Sequence, residues 1–194
     1  MSRLHRSLSR KNAEHGSVLI VTLVMLMALT LLMISSMRAN TVEERMAGNA
    51  RDWNTAFQAA EAALRDAERD ILKVDRISGL TGFTDGCSAT GLCSVSTDGT
   101  PIWIKLADDN DAGWMSGADS GKSVKYGTYT DASPLSGVAA QPRYIVEAIS
   151  VPTSGSIKKG QAGGNFDYFY RVTAVGFGAS TSSRVMLQGV YRQH

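Results

Sequence analysis

The alternation of hydrophobic and polar positions changes character three times along the chain. From Gly16 to Met37 there is no alternation at all, because 22 consecutive positions carry no charged residue. At about 1.5 Å per residue this stretch is roughly 33 Å of helix, the thickness of a bilayer's hydrocarbon core. Leu, Met and Ala dominate it, with Val18, Ile20, Val21 and Val24 scattered among them, so helix outweighs strand. The hydroxyls of Thr22, Thr30, Ser35 and Ser36 can bond back to carbonyls of the same helix. A buried core helix of a soluble protein is the alternative, but such helices are seldom apolar on every face.

The second pattern is amphipathic. After Arg38 the sequence stays free of Pro, with one weak point at Gly48-Asn49, and then runs from Asp52 to Lys73 without Gly or Pro. Ala56, Ala60, Ala63, Leu64, Ala67 and Ile71 recur at helical spacing, with Trp53 and Phe57 on the adjoining strip. Such a stripe of small residues can lie close against a sheet. Glu61, Arg65, Asp66, Glu68 and Arg69 are expected on the opposite face, solvated or turned to a partner. There Glu61 and Arg65 have the favourable order, worth about 0.3 kcal/mol. One helix from Ser17 to Val74 is predicted, roughly 85 Å long. Gly48 costs it about 1 kcal/mol relative to Ala and marks a place for bending or local melting.

The third pattern begins at Ser78, where glycines punctuate a polar region and Pro101 to Ala107 reads as a strand. Three further strands are predicted at Arg143 to Val151, Asp167 to Gly178 and Arg184 to Arg192. In the second of these Tyr168, Tyr170, Val172 and Ala174 share one face, and Phe169, Arg171, Thr173 and Val175 the other. In the third, Val185, Leu187, Gly189 and Tyr191 alternate with Met186, Gln188, Val190 and Arg192. Gly178 to Ser183 would close a hairpin, and the Gly/Ser-rich stretch Pro152 to Gly164 would join the first two strands. The expected fold is α+β, an antiparallel meander laid on one long helix.

Charge gives the apolar segment a direction. Met1 to His15 carries Arg3, Arg6, Arg10 and Lys11 against Glu14, about +3, which by the positive-inside rule keeps this flank in the cytoplasm and sends the rest across the membrane. A secretory signal has a shorter apolar region and a small-residue cleavage site beyond it, whereas Ser-Ser-Met-Arg follows here. The formal charge of +2 comes from 20 basic and 18 acidic residues; without the flank's four basic residues and one acid, 16 remain against 17. No general footprint for nucleic acid survives, and no direct nucleic-acid partner is expected.

Little else points to chemistry. The three histidines are His5, His15 and His194, none of them inside the region expected to fold, so histidine-dependent catalysis and most zinc hydrolysis are not expected. No enzyme activity, cofactor or metal is expected. The run from Asp108 to Asp119 partly fits a calcium loop, with Asn110 at position three, Gly113 at six and Asp119 at twelve, but Ala112 falls at position five and no Glu closes it. A solvated acidic loop is the other reading. Glu147 is either an outward rung of its strand or a partner for Arg143 or Arg171. Cys87 and Cys93, both on the translocated side, would form a small disulfide loop in an oxidising compartment such as the periplasm, or remain two free thiols.

The run Gly-Ser-Val-Leu-Ile-Val at Gly16 to Val21, Glu-Arg-Met-Ala-Gly-Asn at Glu44 to Asn49 and Ala-Phe-Gln-Ala-Ala-Glu-Ala-Ala-Leu-Arg at Ala56 to Arg65 resembles the PilX-type minor pilins of the type IV pilin family. That resemblance implies a type IV pilin fold and a prepilin with four parts. These are a leader peptide at 1–16, a transmembrane and filament-core helix at 17–37, its amphipathic continuation at 38–76, and a periplasmic loop-rich and β-sheet domain at 77–194. It also implies cleavage by prepilin peptidase between Gly16 and Ser17 and N-methylation of Ser17. The expected partners are other minor pilins, the major pilin, the peptidase, the inner-membrane assembly platform and an adhesin at the tip. Its expected location is the bacterial inner membrane, spanned once, and then the pilus. Family members usually carry Glu at the fifth mature position, where this chain has Val21, which suits an initiating or tip subunit over the repeating one. The function implied is initiation of pilus assembly in support of twitching motility, adhesion or DNA uptake. A type II secretion pseudopilin shares the leader and helix, and a permanently anchored periplasmic binding module shares the span.

Overall fold

The computed structural model describes residues 15–73, 76–108, 114–119, 121–152 and 166–192. The chain divides into two units, Met1–Gly48 and Asn49–His194. Helix α1, His15–Leu72, supplies the whole described part of the first unit and one layer of the second. Gly48 is helical, and a Cβ there would meet nothing within 4 Å.

In the second unit α1 lies on a sheet built from β1 (Leu92–Ser94), β2 (Val124–Lys125), β3 (Arg143–Pro152), β4 (Phe166–Phe177) and β5 (Arg184–Arg192). The strand order is β1-β3-β4-β5, with β2 also paired to β3. The three long strands form the expected antiparallel meander, from Arg143↔Val175 to Pro152↔Phe166 and from Phe169↔Arg192 to Phe177↔Arg184. The sheet as a whole is mixed, because β1 joins β3 in parallel, Leu92↔Val146 to Ser94↔Ala148. A strand of three residues, held by the disulfide region and not by a hairpin, leaves no period-two signal long enough to read.

The alanine stripe does what its spacing implies. Ala63, Ala67 and Ile71 are buried against Tyr144, Val146, Tyr170, Val172 and Ala174, while Ala56 and Ala60 meet Val185. At Gly176 of β4 the helix comes so close that a Cβ would be driven into the Ala60 amide nitrogen and the Ala56 carbonyl oxygen. Small residues on both elements therefore set the spacing between helix and sheet, and overpacking such a contact costs about 1–3 kcal/mol.

The opposite face of the sheet is covered at one end by a second core of Cys93, Ile102, Leu106, Trp114, Ile145, Val175 and Phe177. Here the expected strand at Pro101 to Ala107 is instead a short helix, α2, Ile102–Asp108. The Pro101 carbonyl accepts from the Ile104 and Lys105 amides at 3.0 and 3.3 Å. Pro101 can lead a helix because its missing N–H is not needed in the first turn. Asp98 accepts from the Thr100 amide at 2.9 Å and pairs with Lys105 at 2.8 Å. The buried residues Ile102 and Leu106 are four apart, a helical spacing that the apparent alternation of Ile-Trp-Ile-Lys concealed.

Candidate functional site

Two features of the molecule are candidates for function: the apolar half of α1 and the polar latch that fixes the other half in the globular unit. Every residue from Gly16 to Met37 is exposed in the single chain. The most apolar 18-residue window of α1 has a mean hydropathy of 2.8 and buries none of its residues, so the helix is long and apolar enough to cross a membrane. Thr22 and Thr30 donate to the Leu19 and Met27 carbonyls at 2.9 and 2.8 Å, which satisfies their hydroxyls within the helix as expected. Gly16 and Ser17 lie in the first turn of α1, and a Cβ at Gly16 would meet nothing within 4 Å. Residues 1–14, the rest of the expected leader, lie outside the described residues. Val21 is 55% exposed.

The latch is built from carboxylates on the sheet side of α1. Asp66, expected on the solvated face, is instead 1% exposed. It accepts from the Gly127 amide at 2.8 Å and from the Thr130 hydroxyl. The loop must turn sharply to present that amide: Gly127 has φ 79°, and a Cβ there would run into the Ala132 carbonyl. One turn on, Asp70 is fully buried, accepts from the Tyr144 hydroxyl at 2.8 Å and lies 2.8 Å from Arg76. Burial raises the Asp70 carboxyl above its ordinary range, opposed by the Arg76 charge and then by the Tyr144 hydrogen bond. The same burial, next to the Asp70 charge, pushes the Tyr144 hydroxyl far above its ordinary value.

Arg76 in turn sits over the Tyr129 ring, 3.5 Å from its centroid, and donates to the Thr90 carbonyl at 3.0 Å. Lys73 donates to the Tyr129 carbonyl at 2.6 Å. The end of α1 is thus tied at once to the loops at 76–90 and 127–130. Asp66 and Asp70 were legible in principle. They stand three and seven positions after Ala63, on the buried stripe, a pattern that asks for polar partners on whatever covers it.

A second buried charge pair crosses the sheet. Glu147 is fully buried, and Arg171, directly opposite on β4, donates from Nε at 2.9 Å and from Nη2 at 2.7 Å. That resolves the choice for Glu147: its partner is Arg171. The carboxylate, through these bonds, raises the guanidinium's pKa. Arg143 bonds elsewhere, to the Ser123 hydroxyl and carbonyl at 2.7 and 2.8 Å and to Asp119 at 3.0 Å. Burial lowers its pKa, partly offset by Asp119.

Asp119, the last position of the calcium-loop pattern, therefore faces the cations Arg143 and Lys125, the latter at 3.7 Å. Asn110, Ala112 and Gly113 lie outside the described residues. Among the described residues no cluster of three or more His, Cys, Asp or Glu could hold a metal ion. Cys87 and Cys93 are joined by a disulfide in this structure, and Cys93 is fully buried in the core beneath α2.

An exposed apolar N-terminal half-helix thus continues into one layer of an α+β domain. A family model for the PilX N-terminal region matches residues 15–65, and one for the C-terminal region of the type IV pilus assembly protein PilX matches residues 78–193. The chain belongs to the PilX family of type IV pilus proteins, a structural pilin family. No curated protein and no solved structure matches the chain.

Proposed function

We propose that the chain is a minor pilin that is made as an inner-membrane prepilin and takes part in initiating type IV pilus assembly. The observation that carries this reading is the uninterrupted exposure of Gly16 to Met37. Twenty-two uncharged and mostly apolar positions left exposed by their own chain need either lipid or the helices of other subunits around them. The leader, 1–16, is cut between Gly16 and Ser17 by prepilin peptidase, and Ser17 is then methylated. Residues 17–37 serve as anchor and later as filament core, residues 38–76 continue the helix, and residues 77–194 form the periplasmic domain closed by the disulfide Cys87–Cys93.

In this reading Val21 gives the subunit its place. A carboxylate at the fifth mature position would pair with a neighbour's N-terminal amine, and a valine makes no such demand. The subunit therefore suits the start or tip of the filament, in contact with other minor pilins, the major pilin, the assembly platform and a tip adhesin, in a pilus serving motility, adhesion or DNA uptake. Mass spectrometry of sheared pili tests this directly: peptides of this chain that begin at N-methylated Ser17 are expected. Mature protein that retains residues 1–15 in peptidase-positive cells would overturn it.

A further inference from the structure

The disulfide and the polar latch meet in one place. Cys87 and Cys93 close a ring of chain, and the carbonyl to which Arg76 donates belongs to Thr90, inside that ring. Thr90 is tied to Ser88 of the same ring, its amide donating to Ser88 Oγ at 3.4 Å and its hydroxyl lying 2.7 Å from that oxygen. The ring is seated on β3, where the Gly91 carbonyl accepts from the Val146 amide at 2.9 Å and Cys93 stands beside Glu147. Cys87 has φ 69°, a left-handed backbone that a residue with a Cβ keeps only when its surroundings impose it. Closure of the ring therefore fixes where the Thr90 carbonyl stands.

That carbonyl matters because Arg76 is the cation beside the fully buried Asp70, and its own side chain is only 13% exposed. A charge so far from water depends on each partner it has, here the Asp70 carboxylate, the Tyr129 ring and Thr90. The two sulfurs differ in access. Cys93 is fully buried with Ile102 and Trp114, whereas Cys87 is only partly buried against them. Thiol–disulfide exchange requires a thiolate to reach one sulfur, and Cys87 Sγ is the one within reach.

We infer that Cys87–Cys93 is a redox-sensitive catch on the C-terminal end of α1, opened by a dithiol reductant at Cys87 Sγ and acting through Thr90 and Arg76. One thiolate of the dithiol attacks Cys87 Sγ, the S–S bond breaks, and Cys93 leaves as a thiolate and takes up a proton. The reductant's second thiol then displaces Cys87, which is protonated in turn. Two electrons have passed to the cysteine pair, and the reductant ends as its own disulfide. Thr90 can then move away from Arg76, and Asp66 to Leu72 lose part of what ties them to the loops at 76–90 and 127–130. Coupling of this kind is reciprocal, so Arg76 must also favour the closed disulfide. The inference does not depend on pilus initiation; it needs only the globular unit.

The test uses the full chain in detergent. Its variant is Arg76→Lys, which keeps a cation beside Asp70 so that the domain folds but lacks the fork that reaches Asp70 and Thr90 together. Hydrogen exchange is compared in oxidised wild type, wild type reduced with dithiothreitol, and oxidised Arg76→Lys. Amides of Asp66 to Leu72 should exchange about tenfold faster in the last two, the worth of one hydrogen bond to a charged group, while those of β4 and β5 stay as they were. Reducing Arg76→Lys should add no further acceleration there. In graded mixtures of reduced and oxidised dithiothreitol, read by alkylation of free thiols, the disulfide of Arg76→Lys should be about tenfold easier to reduce than that of wild type. Acceleration confined to residues 84–94 would overturn the inference, and so would acceleration spread evenly over the domain, which makes the disulfide a global staple. Equal ease of reduction in the two proteins, or full additivity of reduction and Arg76→Lys, would overturn it as well. Normal pili alongside any of these results would reject the catch and leave the minor-pilin reading standing.

Discussion

At the scale of single residues, this domain places charge where its core would otherwise be apolar, and each buried charge is held by a specific partner. Glu147 depends on Arg171 most completely, since its two carboxylate oxygens take the two guanidinium bonds. Arg171→Met should lower stability by about 3 kcal/mol, because a buried carboxylate is left without its cation. The double variant Glu147→Leu/Arg171→Met should return to within about 1 kcal/mol of wild type, and thermal melts of the three proteins in one detergent measure both values. Asp70 makes a prediction in pH. A carboxyl whose folded pKa is raised binds its proton more tightly in the native state, so its contribution to stability is largest below the unfolded value, 3.8, and is lost as pH rises through the folded pKa. Asp70→Asn cannot titrate. Wild type should therefore lose stability relative to Asp70→Asn as pH rises from 3.8, and then run parallel to it. Denaturant midpoints measured across that range check the sign.

At the scale of elements, legibility tracked the length and purity of the pattern. The ends of β3, β4 and β5 fall within a residue or so of the sequence expectation because each is a run of nine or more residues rich in β-branched and aromatic side chains and flanked by turn residues. The helix stripe was legible for the same reason at period 3.6. α2 was not, since seven residues make two turns and Ile102, Ile104 and Leu106 satisfy a strand template as well as a helix. The burial of Asp66 was also missed: its place on the stripe was legible, but its partners lie about sixty residues away in a glycine turn, and without them a carboxylate reads as solvated. β1 and α2 meet at the disulfide. Cys87→Ser/Cys93→Ser should cost roughly 2 to 3 kcal/mol by the chain-entropy estimate for so short a loop. An unchanged melting temperature under oxidising conditions would show that α2 and Trp114 hold that corner without it.

At the scale of the whole molecule, the family and the apolar helix were readable from the first 70 or so residues, because a membrane-length apolar run and an alanine stripe are long patterns in composition, whereas the α+β layout also needed the three long strands after Pro142. Cleavage is a prediction at this scale. Gly16→Glu should leave the precursor uncut and exclude the protein from sheared pili, because a bulky charged side chain would replace the small residue at the cut. Immunoblots of membranes and pili from the variant strain decide it, and wild-type levels of mature protein would count against cleavage at this position.

The way α1 is covered has a temporal consequence. Asp70 meets Tyr144 across 74 residues of sequence, and Leu64 meets Tyr191 across 127. The alanine stripe is made early in the chain, gets most of its sheet only when β3 and β4 have emerged, and has Ala56 and Ala60 covered by Val185 only with β5, which gives the domain many long-range contacts and slow folding. Until β3 and β4 arrive, Ala63, Ala67 and Ile71 have no cover of their own. Anything that binds the bare stripe must therefore do so in that interval.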